Sequence, residues 1–262
     1  MANKVRLGEW ITEGWNLLKA QWQTWTAMTI VFFIPVAVVI GIEQIVSFKM
    51  QKPFGSSASL VDFVRTFSQS MTLSILTSFI VAIVNAFFLG GIYRAAFKQM
   101  RGEDISVADI FSGMDLYIKI LVAALLINAI QLLGTFLCYF PGLIAQGLMM
   151  LTIPLIVQKN MEPLDAIKES FNTTKSEWLM FTVLIVVTSL LAAAGVILCV
   201  VGIFFTYPLL FLITAVAYRD IYEPESRPMS RVDELYSKHC RVCGASIPVN
   251  AAFCDKCGAG QV

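Results

Sequence analysis

The sequence predicts an all-α membrane protein of six transmembrane helices, followed by a small C-terminal module held together by cysteines. Three observations predict it: four long stretches without a charged residue, a twelve-residue segment that recurs, and two Cys-x-x-Cys-Gly pairs close to the end.

Of 262 residues, 57% are hydrophobic and 14% charged, against about 45–50% and about 25% in soluble globular domains. No Asp, Glu, Lys, Arg or His occurs over 20–42, 66–93, 120–158 or 178–218. A helix with one face in water needs polar residues every turn or so, so these runs belong in lipid. A span takes about 20 apolar residues to cross roughly 30 Å of hydrocarbon. The first two runs therefore make one span each, near 25–46 and 72–92. The longer two would make single rods of roughly 60 Å. Each must fold back, at Phe140-Pro141-Gly142 and at Gly202, which gives spans near 119–139, 142–158, 178–199 and 202–218. The first apolar run lies too far from Met1 for a removable signal peptide and follows an acid-containing amphipathic segment, so it is expected to remain.

Lys and Arg are enriched in cytoplasmic loops. With the N-terminus inside, 16 of the 19 basic residues fall on the inner side and only Lys49, Lys52 and Arg65 fall outside. The expected location is the cell (inner/plasma) membrane, multi-pass, with both termini cytosolic. The net charge of +1 gives no footprint for nucleic acid.

The segment ITEGWNLLKAQW at 11–22 returns as IKESFNTTKSEW at 167–178, with five of twelve positions identical and no gap. A fainter copy at 110–121 keeps Gly113, Met114 and Asp115 in register, and the hairpin tips at Cys138 and Cys199 also match. A fixed internal period dictates architecture. The reading is three parallel hairpin repeats, each an interfacial amphipathic helix (about 5–22, 104–118 and 163–177), a span out and a span back. Leu7, Trp10, Ile11, Gly14 and Leu18 share one helical face, as do Leu164, Ile167, Phe171 and Trp178. Such faces are expected to lie apolar side down at the headgroups, with Trp22, Trp25 and Trp178 in the inner aromatic belt. Shared interface chemistry without duplication is the competing reading.

After residue 222 the composition turns polar. Residues 223–238, with Pro224 and Pro228, read as a linker, and 239–262 as a separate module. Cys240, Cys243, Cys254 and Cys257 form two knuckles, each followed by a glycine, Gly244 and Gly258. Four thiolates suit one tetrahedral zinc ion, and so short a module has too little core to fold without one. A redox dithiol or a disulfide pair is the alternative, and a reducing cytosol disfavours the disulfide. A site closed by four thiolates is structural. His239, beside Cys240, reads as a bystander.

Gly90-Gly91-Ile92-Tyr93-Arg94, then Arg101-Gly102-Glu103-Asp104 and Asp109-Ile110-Phe111, resemble the pattern of a large set of uncharacterised bacterial membrane proteins. The region 5–222 also looks similar to the membrane region attached to some glycerophosphodiester phosphodiesterases. The tail resembles the zinc-ribbon module appended to many bacterial membrane proteins. The resemblance implies a fold and no activity, because the catalytic barrel of the phosphodiesterases has no counterpart in this sequence.

Few polar residues fall inside the spans. Asn85, Asn128, Gln131 and Gln146 could line a solute path or hydrogen-bond between helices. Glu43 is the one acid in an expected span, about a turn from the outer end, whereas a proton- or sodium-coupled carrier needs a deeper carboxylate. Pro35, Pro154 and Pro208 would kink spans or free backbone carbonyls. Gly90-Gly91 and the stretch 192–195 permit close helix contact, Cys138 and Cys199 could pair only if within disulfide reach, and Tyr93-Arg94 and Tyr218-Arg219 read as interfacial anchors. One histidine and no paired intramembrane acids leave little for acid–base catalysis. The expected partners are the bilayer and a protein that docks on the zinc module. The expected function is non-catalytic, in assembly or regulation, with transport or handling of an uncharged or amphiphilic substrate as the alternative.

Overall fold

The structure is a computed structural model, and it describes residues 5–50, 60–137, 139–197, 202–224, 237–244, 246–248, 253 and 256–260. It divides into two units, Met1–Ile221 and Tyr222–Val262.

The first unit is helical. Its elements are α1 (Leu7–Ala20), α2 (Trp22–Met50), α3 (Leu60–Met100), α4 (Tyr117–Leu137), α5 (Tyr139–Met149), α6 (Thr152–Lys159), α7 (Pro163–Thr174), α8 (Trp178–Ile197) and α9 (Ile203–Tyr222), with short 3-10 turns at Val107–Phe111, Met114–Leu116 and Lys175–Glu177. Among the described residues, six stretches are long and apolar enough to cross a membrane: Trp22–Lys49, Leu60–Met100, Val107–Phe136, Phe140–Lys159, Pro163–Leu191 and Ile203–Tyr222. Large apolar side chains stay exposed along them, among them Ile34, Val38, Ile42, Leu76, Leu133 and Leu190. A soluble monomer does not expose so extended an apolar surface, and lipid accounts for it.

α3 runs well past the expected span at 72–92. Its 41 residues extend about 60 Å, twice the hydrocarbon thickness. A Schellman stop ends it: Gly102 takes a positive φ of 81°, its N–H donates to the Gln99 carbonyl at 2.9 Å, and the Glu103 N–H donates to Lys98. Only a residue without Cβ adopts that conformation at no cost.

The fourth span is not continuous. It breaks at Met150–Leu151 into α5 and α6, four residues before Pro154, whose ring clashes with the carbonyl of residue i−4 and which has no N–H to offer it. Nearby, the Leu148 carbonyl accepts from the Ser170 hydroxyl at 2.8 Å and the Thr174 hydroxyl at 3.0 Å. These two hydroxyls on α7 satisfy backbone exposed by the break. α2 and α9 continue through Pro35 and Pro208.

Two expectations for the interfacial segments are corrected. The stretch 104–118 is not an amphipathic helix but a pair of 3-10 turns. Asp109 accepts from the Ser106 N–H at 2.7 Å and its hydroxyl at 3.2 Å, a capping box that starts the first turn only at Val107. Gly113 then presses backbone to backbone on Gly90 and Gly91, while Gly91 meets the Ile110 carbonyl with no room for a Cβ. The second correction concerns α1. Its Trp10, Gly14 and Leu18 do not point into headgroups but are buried in the protein. A Cβ on Gly14 would lie 2.9 Å from Ile213 Cγ1 of α9, Trp10 lies 6.3 Å from the Phe181 ring, and its Nε1 donates to Asp220 at 2.9 Å. On α7 the buried residues are Ala166, Ser170 and Thr174, while Leu164, Phe171 and Trp178 remain exposed.

The core lies where α2, α3 and α9 meet. Phe32 stands 5.8 Å from Phe88, 5.3 Å from Tyr207 and 6.5 Å from Phe211, at tilted or edge-on angles that aromatic quadrupoles favour. Trp25 is not at the interface either. It is buried, and its Nε1 donates to Gln99 Oε1 at 2.8 Å while Gln99 Nε2 donates to the Leu17 carbonyl at 2.7 Å. This pair fastens the α1–α2 junction to the end of α3. Trp22 and Trp178 stay half-exposed.

The second unit contains a two-stranded antiparallel hairpin, β1 (Ser237–His239) and β2 (Ser246–Pro248), with Lys238 opposite Ile247, and an isolated bridge between Phe253 and Gly260.

Candidate functional site

The β1–β2 register delivers Cys240 and Cys243 into the turn between the strands. The Gly244 N–H closes that turn on the Cys240 carbonyl at 2.9 Å. Gly244 and Gly258 hold φ of 72° and 71°, so the glycine after each knuckle occupies the left-handed region where a side chain would be strained.

The sulfurs of Cys240, Cys243 and Cys257 lie within 4.8 Å of one another. Cys240 Sγ is 3.6 Å from Cys257 Sγ, far beyond a disulfide bond. Thiolates about 2.3 Å from one tetrahedral ion would stand roughly 3.8 Å apart. These three residues could therefore hold a metal ion. Hydrogen bonds from the Cys243 and Val242 N–H groups, and then the neighbouring sulfurs, draw the Cys240 thiol down to about 6, which favours the thiolate a metal requires. Cys254, the fourth candidate ligand, lies outside the described residues, as do Cys138 and Cys199. His239 occupies the last position of β1.

The polar residues of the spans are dispersed. Ser78 donates to Asn128 Oδ1 at 3.5 Å across α3 and α4, and Ser74 donates to Glu43 at 3.1 Å across α2 and α3. The Gln131 carbonyl accepts from Thr135 within α4. The Asn85 Oδ1 atom is buried without a hydrogen-bond partner among the described residues. A cavity among Trp25, Met28, Phe32, Ile92, Tyr207 and Phe211 measures only about 10 Å³, the least that admits a water.

The two Tyr-Arg pairs are not interfacial anchors. Tyr93 and Tyr218 are buried, edge-on to Phe211 at 5.7 Å and Phe97 at 5.4 Å. Arg94 grips Asp115 with two 2.7 Å bonds and also donates to the Ser112 carbonyl. Arg219, 4% exposed, forms a two-pronged pair with Glu13 and a further pair with Asp220 at 2.6 Å. Sequence reasoning missed both clamps, because nothing in a linear pattern names the partner of a terminal arginine.

No family model matches the chain, and no solved structure matches it. The chain is similar to "Uncharacterized protein Rv2560" of Mycobacterium tuberculosis (strain H37Rv), at 25% identity over 224 residues, covering 82% of this chain and 68% of that one. It is similar to the same extent to "Uncharacterized protein Mb2590" of Mycobacterium bovis. These are distant homologues whose names state no activity.

Proposed function

We propose that this is a non-catalytic membrane protein with both termini in the cytosol, whose C-terminal zinc module docks a protein partner in assembly or regulation. The observation that carries the reading is the cluster of three cysteine sulfurs on a unit of its own, preceded by a segment of polar sequence. A site filled by thiolates leaves no position for substrate, so its role is to shape a small surface. Zinc fits best because soft sulfur donors in tetrahedral array select it, with Cys254 as the fourth ligand. On this reading the purified chain carries about one zinc ion. A strong chelator is expected to unfold the tail, read by protease sensitivity of residues 223–262, while the helical circular dichroism stays unchanged. Zinc retained in full by Cys240→Ser would count against the site.

The membrane unit is proposed to be three parallel repeats. Trp10, Gly14 and Leu18 on α1 and Ala166, Ser170 and Thr174 on α7 are buried at the single offset that aligns the two segments. The small residue at the shared position packs on a return span each time: Gly14 on α9, Gly113 on α3 and Ser170 on α5. Each segment thus leans on the span that ends another repeat. The phosphodiesterase likeness contributes only a fold to this reading.

Removing residues 223–262 is expected to leave the membrane unit inserted and to eliminate a specific set of proteins from a crosslinking pull-down. An unchanged set would end the docking reading. The Asn85 oxygen, buried and without a hydrogen-bond partner among the described residues, favours a second reading, passage of an uncharged or amphiphilic solute. Replacing Asn85, Asn128 and Gln146 by Leu would then stop flux without unfolding the chain.

A further inference from the structure

A polar cleft of about 430 Å³ opens between the end of α3, the 3-10 turn before α4, and the end of α6. Its lining includes Arg94, Lys98 and Arg101, with Asp109, Ser112 and Gln158 opposite. The three cations are spaced i, i+4 and i+7, which puts them on one side of α3 and the turn that ends it.

The level of the cleft follows from the sequence. Arg94 is the first charge after the run 66–93, and Gln158 is the last residue of the run 120–158. Both therefore sit where hydrocarbon gives way to headgroups. Volume and level suit a headgroup rather than an acyl chain.

The donors are held in place and not used up. Asp115 fixes one edge of Arg94. Asp109 holds Lys98 at 3.1 Å, the one carboxylate in the lining facing three cations. Arg101 gives only its Nε to Glu103, at 2.8 Å, and the two side chains are 59% and 50% exposed, a setting in which ion pairs contribute little. Its terminal nitrogens, and the Gln158 amide with no bonded partner among the described residues, remain open to a ligand. Guanidinium, ammonium and amide donors around a pocket at headgroup depth match a phosphate oxygen cluster.

We propose that this cleft binds a phosphate-bearing headgroup of net negative charge, with Arg101, Lys98 and Gln158 donating to its oxygens. The same chemistry would accept a free phosphate monoester, and the experiment separates the two sources. Full-length chain in neutral detergent is titrated with dioctanoyl phosphatidylglycerol, with dioctanoyl phosphatidylcholine, and with inorganic phosphate, and bound ligand is counted by native mass spectrometry. Saturable binding of phosphatidylglycerol over phosphatidylcholine, unaffected by inorganic phosphate, assigns a lipid; displacement by inorganic phosphate assigns the soluble ligand. Arg101→Gln and Gln158→Ala should each weaken binding by about tenfold, the effect of one charge-assisted hydrogen bond, whereas Lys168→Gln, outside the lining, should not. Both are surface changes, so an unaltered melting temperature shows that they fold. Binding of equal strength in Arg101→Gln and the parent, or no preference between the two lipids, overturns the proposal.

Discussion

Replacing Arg219 by methionine is expected to destabilise the membrane unit by about 3–5 kcal/mol, the usual cost of removing one partner from a buried ion pair. The side chains of Arg219 and Asp220 are each 5% exposed and that of Glu13 is 26% exposed. Removing the guanidinium leaves the Glu13 and Asp220 carboxylates without the cation they share. The same change releases α1, because Glu13 and the Trp10–Asp220 hydrogen bond hold it to the end of α9. The measurement is thermal unfolding in detergent of the parent, Arg219→Met, and Arg219→Met combined with Glu13→Gln and Asp220→Asn. The single variant should melt far below the parent, and neutralising the two acids should restore much of the loss. A single variant that melts with the parent would show that the clamp contributes nothing.

Gly91→Ala is expected to cost about 3 kcal/mol, at or above the upper end of ordinary overpacking. The added methyl group would fall on the backbone carbonyl of Ile110, and backbone cannot rotate aside as a side-chain tip does. Gly113→Ala meets the same barrier from the opposite side, in the backbone of Gly90 and Gly91. Either change must push α3 away from the turns before α4, opening Ile110 and Leu116, which are buried there. Gly41→Ala is the matched control, since nothing lies within 4 Å of the added group and alanine is the better helix former by about 1 kcal/mol. Melting temperatures that fall for residues 91 and 113 and hold or rise for residue 41 are the expected pattern. An unchanged melt for Gly91→Ala would refute the close backbone packing.

The apolar helices were legible because their signal is local: a helix in lipid carries no charge for about 20 residues, and the four charge-free runs of this chain fall in helices long and apolar enough to cross a membrane. The clustering of Cys240, Cys243 and Cys257 was legible for a similar reason, since their spacing and the glycines that follow are written in consecutive residues. What lay across from each segment was not legible. Periodicity placed Trp10, Gly14 and Leu18 on one face, but an apolar face reads alike whether lipid or protein covers it. The burial of that face against α9 joins residues about 200 positions apart. Arg94 and Arg219 misled for the same reason: an arginine after an aromatic at the end of a span has the composition of an anchor, and only tertiary placement of Asp115 and Glu13 makes it a clamp. The break before Pro154 was foreshadowed by the proline itself, whereas Pro35 and Pro208 gave the same signal and sit within continuous helices.

The account depends most on the chain crossing the bilayer six times with its metal-binding tail on the side of the N-terminus. A membrane-impermeant maleimide applied to intact cells expressing Ser57→Cys with Cys138→Ser and Cys199→Ser, followed by permeabilisation, tests this directly. The cysteine placed between the first two spans should label at once, and the native tail cysteines should label only after permeabilisation and metal removal. Tail labelling in sealed cells, or protection of residue 57 until the cells are opened, would contradict it.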